Sequence, residues 1–111
     1  MAYDEELAAR IREVLSGEPL LSERRMFGGL AFLVGGNMAV AVSGAGGIMV
    51  RVDPAEAETL LASTVAYPME MRGRQLRGWL RVDAADLAGD QLAGWVERGT
   101  AYASTLPVKA D

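Results

Sequence analysis

The stretch that decides the fold is Met26 to Val50, MFGGLAFLVGGNMAVAVSGAGGIMV. Its 25 residues contain no charged side chain and are flanked by Arg25 and Arg51, so length and apolarity alone would suit a membrane span. Glycines interrupt the stretch every six or seven residues, and the pieces between them are strand-length runs of branched and aromatic residues. The stretch therefore predicts a buried antiparallel sheet.

Helix signals flank the predicted sheet. An apolar stripe that follows three acids predicts a first helix over residues 4–16. Asp53, which is followed by a proline, supplies an N-cap for a second helix to about Ser63. A final helical region is predicted to be capped by Asp83 and interrupted near Gly89.

Five strands are predicted, over residues 24–34, 38–43, 47–52, 67–71 and 75–82. Glycine-rich turns join the first three, and Arg72-Gly73 suits the tight turn between the last two. The order αβββαββα, an antiparallel sheet with helices packed against it, indicates one α+β domain over residues 1–106 and a loose tail over 107–111. Because both faces of the central strands are apolar, either helices pack on both sides or a second copy of the chain covers one side.

Composition narrows the classes of function. Half of the residues are apolar and 23% are charged, which favours a folded domain, and the net charge of −4 argues against broad attraction to nucleic acid or anionic lipid. The chain has neither cysteine nor histidine, so thiolate and imidazole chemistry are excluded, and no catalytic, metal-binding or cofactor-binding residue is predicted. The first residues do not resemble a signal peptide, so a cytoplasmic location without membrane insertion is expected.

Three short motifs lie close together in the first half of the chain: Arg25-Met26-Phe27-Gly28-Gly29, Phe32-Leu33-Val34 and Gly36-Asn37-Met38. With these motifs, and with Gly78-Trp79 in the last predicted strand, nearly the whole chain resembles the N-terminal domain of the TfoX/Sxy family of bacterial competence regulators. The resemblance implies an αβββαββα domain with an antiparallel sheet, and a link to the regulation of DNA-uptake genes through partner proteins. It implies no enzymatic activity and no cofactor.

The first of these motifs has two interpretations. Arg24 and Arg25, with the backbone amides of Gly28 and Gly29, could bind an anion or the main chain of a partner. Alternatively, the paired glycines form a bend that lets one long strand curl over the first helix. A phosphate titration that leaves both glycine amides unmoved would remove the anion hypothesis.

Four arginines lie close to a single tryptophan, Trp79, in the last predicted hairpin: Arg72, Arg74, Arg77 and Arg81. Strand alternation predicts that Arg77, Trp79 and Arg81 share one face. This face could form a hot spot for a protein partner, or could stack on the bases and hold the phosphates of a nucleic acid. Alternatively, Trp79 is half-buried under the last helix, with arginine stems over it and arginine heads paired to acids such as Glu70 or Asp83.

Methionines are frequent in the predicted strands, where their usual use is to fill the core: Met26, Met38, Met49, Met69 and Met71. A contiguous exposed methionine patch would instead indicate a groove for a partner.

Together these observations predict a small cytoplasmic module that acts in regulation through contacts with a protein partner, with a homodimer as one option. The main alternative is a nucleic-acid-associated regulator that uses the hairpin from Arg72 to Arg81. The third is a small-molecule enzyme built from carboxylates and hydroxyls, which would need a polar pocket with convergent acids of perturbed pKa.

Overall fold

The computed structural model describes residues 3–26 and 28–109, in which three α-helices pack on a six-stranded antiparallel sheet. The helices are α1 (Glu5–Val14), α2 (Pro54–Ser63) and α3 (Asp90–Ala103). The strands are β1 (Leu21–Met26), β2 (Gly29–Val34), β3 (Asn37–Val42), β4 (Ile48–Arg51), β5 (Tyr67–Met71) and β6 (Arg74–Val82), arranged across the sheet as β1-β2-β3-β4-β6-β5. The predicted α+β class and its order of helices and strand groups are confirmed. None of the described helices is long and apolar enough to cross a membrane.

The predicted strand over residues 24–34 is two strands. The chain reverses between β1 and β2, where Gly28 takes a positive φ of 76°. The predicted bend in one long strand is therefore wrong, and Phe27 of the motif lies outside the described residues. The reversal coincides with a change of composition, because β1 is polar and mostly exposed whereas every residue of β2 is buried.

Of the two predicted helix caps, the Asp53 cap of α2 is confirmed and the Asp83 cap of the final helix is wrong, and α1 is capped as well. The Asp4 carboxylate accepts a hydrogen bond from the backbone N–H of Leu7 (3.0 Å), and the Asp53 carboxylate accepts one from Ala55 (2.9 Å). Asp83 was predicted to cap the final helix, but its side chain makes no capping bond and instead accepts the hydroxyl of Tyr67 at 2.7 Å. It precedes a 3-10 turn (Ala84–Asp86), and α3 begins after Gly89, at the predicted interruption.

The main core lies between one face of the sheet and the helices. Its largest fully buried side chains include Phe32 from β2, Ile48 from β4, Leu80 from β6 and Ile11 from α1. Gly99 lets α3 approach β3 closely, because a Cβ at this position would collide with the carbonyl oxygen of Ala39. This close packing fixes α3 on that side of the sheet.

The segment after α3 is attached to the sheet, although the sequence predicts a loose tail over residues 107–111. The buried Asn37 side chain donates its Nδ2 hydrogen bond to the carbonyl of Pro107 (2.9 Å), and the backbone N–H of Lys109 donates to the carbonyl of Gly35 (2.8 Å). Residues 107–109 therefore lie along the β2–β3 turn. The last two residues of the predicted tail lie outside the described residues.

Candidate functional site

The side of the sheet opposite the main core, here called the helix-free face, contains a row of residues from all six strands. The strand registers align Arg24 on β1, Ala31 on β2, Ala41 on β3, Met49 on β4, Arg81 on β6 and Tyr67 on β5. A small apolar centre is thus bounded by an arginine on each side. This arrangement follows from the register, because directly opposed residues in antiparallel strands point to the same face.

A second apolar cluster occupies the centre of the helix-free face. Its buried members are Ala31, Leu33 and Ala41, and the partly buried side chains packed against them are Met26, Met38 and Met49. All six residues belong to β1–β4, so among the described residues no helix contributes to this cluster. Three methionines, here called the methionine patch, therefore lie together on the helix-free face, partly buried over the alanines and Leu33, an arrangement between core filling and the exposed patch predicted for a partner groove.

Arg81 stabilises a turn beside this patch. Its Nη2 donates hydrogen bonds to Ser43 Oγ (3.1 Å) and to the carbonyl of Gly46 (2.9 Å), both in the β3–β4 turn. Its Nε is buried and has no hydrogen-bond partner among the described residues. Arg81 is thus partly committed to structure, and its charge is held at the edge of the methionine patch.

Trp79 is half-buried and lies against a different arginine from those predicted. The Arg51 guanidinium carbon is 5.5 Å from the centroid of the Trp79 ring and 5.7 Å from that of Tyr102 on α3. Both distances are in the range of cation–π attraction. The prediction that an arginine covers Trp79 holds, but the arginine comes from β4.

The remaining arginines of the β5–β6 hairpin are exposed: Arg72, Arg74 and Arg77. Arg72 and Gly73 form the predicted turn with φ values of 55° and 78°. Gly78 has a positive φ of 83°, and Arg77 lines a groove of about 490 Å³ between β6 and α2. Arg77 and Trp79 therefore line the same groove, whereas Arg81 is bound to the β3–β4 turn, so the three residues do not form one cluster.

The two glycines of the first motif lie in different surroundings. Gly28 is exposed in the β1–β2 turn, whereas Gly29 is buried and pairs with Met26, and a Cβ at Gly29 would collide with the backbone of Val42. Arg25 pairs with Leu30 and lies on the side of the sheet opposite to Arg24, because successive strand residues alternate. The predicted group of two arginines and two amides is not assembled at one place.

Comparison with known proteins decides the family of this chain. The family model of the TfoX N-terminal domain matches residues 13–103 of the 111-residue chain. The chain belongs to the TfoX N-terminal domain family. A search of the curated proteins found no match to this chain.

Sequence reasoning missed two features of this TfoX N-terminal domain. Arg51 and Tyr102 lie 51 positions apart, and nothing in the sequence indicates their contact. The methionine patch depends on the order of β1–β4. The sequence contained one indication of the methionine patch. The small residues Ala31 and Ala41 alternate with the larger Phe32 and Val40, so the two faces of β2 and β3 differ in side-chain size.

Ion pairs in this TfoX N-terminal domain connect the helices to the sheet and to each other. Arg12 of α1 forms a bidentate pair with Glu23 of β1, at 2.7 Å from Nε to Oε2 and 2.9 Å from Nη2 to Oε1. The hydrogen bonds from Arg12 lower the pKa of Glu23, and the hydrogen bond to Asp83 raises the pKa of Tyr67. Both shifts are explained by single structural contacts.

A second groove of this TfoX N-terminal domain, of about 450 Å³, lies between α2 and α3. Its lining includes Asp53, Glu56 and Glu97, and Arg98 forms a 3.7 Å ion pair with Glu56. Among the described residues, no group of three acids is arranged to hold a metal ion. The groove therefore has charged walls without a recognisable coordination site.

Proposed function

We propose that this domain is a non-enzymatic regulatory module that acts through protein contacts, with the helix-free face as its binding surface. Its family is of a regulatory type. The observation that carries the proposal is the methionine patch, in which Met26, Met38 and Met49 surround a floor of Ala31, Leu33 and Ala41. Methionine side chains adapt to different partners because they are unbranched and polarizable.

The position of this patch supports binding more than stability. Contiguous apolar area that no helix of the described residues covers is typical of interaction sites. The same strands already supply a complete core on their other face, with Phe32, Val40 and Val50 fully buried against the helices. The methionine patch is thus additional apolar surface, and a partner would bury it.

The absence of enzymatic activity is part of the proposal. The sequence contains no histidine and no cysteine, which are common catalytic acids, bases and nucleophiles. The shifted carboxyl pKa of Glu23 is lowered by an ion pair, whereas a general acid at neutral pH needs a raised one. A domain with this composition and this carboxyl pKa is better suited to binding a partner than to acid–base catalysis.

A capture experiment with two matched variants tests this proposal. Tagged wild-type chain, Met49→Glu and Thr59→Glu would be used to capture proteins from the native cell, followed by mass spectrometry. Thr59→Glu is the control, because it adds the same charge at an exposed position of α2. We expect Met49→Glu to lose proteins that wild type and Thr59→Glu both retain. Unchanged capture by folded Met49→Glu would contradict the proposal.

A second candidate function, direct contact with nucleic acid, is favoured by the β5–β6 hairpin. Arg72, Arg74 and Arg77 are exposed there and make no ion pair within the described residues. Residues 74–78 of β6 extend beyond the part of that strand that pairs with β4. A two-stranded ribbon with free arginines can enter the major groove of DNA.

Salt dependence separates this second candidate from the first. A labelled DNA duplex would be titrated with wild type and with the triple variant Arg72→Ser, Arg74→Ser and Arg77→Ser at two salt concentrations. Three phosphate contacts would give a log–log salt slope of about −2.7, which the triple variant would lose. Binding that is equal in both proteins would exclude the hairpin as the contact.

A further inference from the structure

We infer that the β2–β3 turn is a binding site for an extended protein segment. Residues 107–109 of the chain occupy this site as an internal ligand, and a segment of a partner protein displaces them. The site consists of Gly35, Gly36 and Asn37, so it includes the Gly36-Asn37 pair of the third sequence motif. None of these residues belongs to the methionine patch, and the inference therefore goes beyond the proposed function.

The turn recognises main chain, because its polar contacts with the internal ligand involve peptide groups of that segment. The Asn37 Nδ2 donates a hydrogen bond to the carbonyl of Pro107 (2.9 Å), and the N–H of Lys109 donates to the carbonyl of Gly35 (2.8 Å). Asn37 is 2% exposed, and its Nδ2 also donates to the carbonyl of Gly35 at 3.4 Å, which orients the amide. The turn therefore selects a carbonyl and an N–H two residues apart, as an extended strand presents them along one edge.

The two glycines of the turn make room for the backbone of the segment. A Cβ on Gly36 would lie 2.9 Å from both the Cβ and the carbonyl oxygen of Lys109, and the φ of Gly36 is 81°. A Cβ on Gly35 would lie 3.3 Å from Cγ2 of Val108. Side chains at these positions would keep the segment away from the turn, so the glycines have the role they commonly have where a backbone approaches a ligand.

The internal ligand is held loosely, whereas the turn that binds it is fixed. All three residues of the segment 107–109 are exposed, and Val108 is 70% exposed. Two hydrogen bonds with little side-chain burial barely balance the entropy of ordering three residues. The turn, in contrast, is closed by the pairing of Val34 with Asn37 in the β2–β3 ladder. A preformed site with a loosely held ligand can exchange that ligand for another.

Exposed apolar side chains beside the turn indicate the chemistry of the partner segment. The N–H of Gly35 donates to the carbonyl of Leu20 (3.1 Å), so Leu20 lies next to the site, and its side chain is 53% exposed. Leu20 and Val108 are two of the five large apolar residues that are exposed among the described residues, and both flank Gly35. A partner segment can bury apolar surface that the internal ligand leaves open. We therefore expect an extended segment with an apolar central residue, followed by a residue other than proline.

The experiment compares two substitutions of one residue in the full chain. Lys109→Pro removes the N–H that donates to Gly35, whereas Lys109→Ala keeps that N–H and removes only an exposed side chain. Wild type and both variants would be titrated with the blocked peptide TLPVKA, which has the sequence of residues 105–110, and with TLPVPA, which lacks the corresponding N–H. Binding would be followed by the NMR signals of the Asn37 side-chain amide and the Gly36 N–H.

We expect Lys109→Pro to shift the Asn37 amide signal because the internal ligand leaves the turn. Added TLPVKA should return this signal toward its wild-type position. TLPVKA should bind Lys109→Pro roughly three- to tenfold more tightly than it binds wild type or Lys109→Ala, in which the internal ligand competes. TLPVPA should bind Lys109→Pro at least about threefold more weakly than TLPVKA, because it offers no N–H to Gly35.

Three outcomes would overturn the inference. An Asn37 amide signal that is the same in Lys109→Pro and Lys109→Ala would show that residues 107–109 are not bound through the Lys109 N–H. If TLPVKA leaves the signals of Lys109→Pro unmoved, the turn does not bind a segment from outside the chain. Equal binding of the two peptides would show that the turn does not recognise the N–H. The methionine patch is tested separately, by capture with Met49→Glu.

Discussion

The two faces of one sheet differ in the size of their side chains. On the helix-covered face, β2 and β3 present Phe32 and Val40, which are fully buried against the helices. On the helix-free face, the neighbouring positions are Ala31 and Ala41, with methionines around them. The difference shows that the large branched and aromatic residues fix the helices, whereas the small and flexible ones leave a surface that can adapt to a partner.

The two faces also differ in what holds their charges. Glu23 on the helix side pairs with Arg12, so both charges are neutralised within the chain. On the helix-free face the cations lie around an apolar floor. The charges of the helix-covered face are therefore paired between α1 and β1, whereas on the helix-free face Arg81 is held at the edge of the apolar floor by the β3–β4 turn.

The largest effect is expected from truncation of adjacent residues on opposite faces. Phe32→Ala removes a fully buried side chain from the main core and should cost about 3–5 kcal/mol of unfolding free energy. Leu33→Ala, one position along β2, should cost only about 2 kcal/mol, because flexible methionines and no helix of the described residues pack over it and can close the space. Chemical denaturation measures both, and equal losses would break the comparison between the two faces.

The second-largest effect tests how closely α3 packs on the helix-covered face. Gly99→Ala would place a methyl group against the carbonyl of Ala39 and should cost about 1–3 kcal/mol, because α3 must move away from β3. Gly94→Ala in the same helix meets open space and should instead stabilise by about 0.5–1 kcal/mol. Thermal unfolding of both variants is the measurement. A stabilising Gly99→Ala would show that α3 is not in close contact with the sheet.

A smaller effect on stability distinguishes Arg81 from Arg77 in the β5–β6 hairpin. Arg81→Ala removes two hydrogen bonds to the β3–β4 turn and should cost about 1–2 kcal/mol. Arg77→Ala removes an exposed side chain and should change stability by less than about 0.5 kcal/mol. Urea denaturation of the two variants tests this. Equal effects would mean that the Arg81 bonds do not contribute.

The smallest effect concerns the Arg12–Glu23 pair and its pH dependence. Glu23→Gln should lose at most about 1 kcal/mol at neutral pH, because both groups are partly exposed. Since the pKa of Glu23 is lowered in the folded state, this contribution is present above the ordinary carboxyl pKa and is lost as the pH falls through the folded pKa. The difference in denaturation midpoint between wild type and variant should therefore vanish in acid. A difference that persists there would have another cause.

The sequence predicts the parts of this fold that depend on local signals. Asp53 followed by Pro54 marks the start of α2, and the glycine runs mark the turns of the sheet, because these residues act on their immediate neighbours. The hairpin at Gly28 was missed, since paired glycines suit either a bulge or a turn and only pairing partners distinguish them. The change from charged to apolar residues at that point was the available signal.

The candidate site was less predictable, because it consists of contacts between distant residues. The arginines of the hairpin were recognised, but the residue that covers Trp79 is Arg51, and Arg81 binds the β3–β4 turn. The row from Arg24 to Tyr67 exists only once the strand order and the registers are fixed. Net charge alone was misleading as well, because it averages a cationic sheet with acidic helices and loops.

The most direct test of the binding surface is site-specific photo-crosslinking in the native cell. A photoreactive amino acid would replace either Met38 on the helix-free face or Glu13 at an exposed position of α1. We predict a crosslink to a partner protein from position 38 and none from position 13. Crosslinks to that partner from position 13 alone would contradict the assignment of the helix-free face as the surface that binds it.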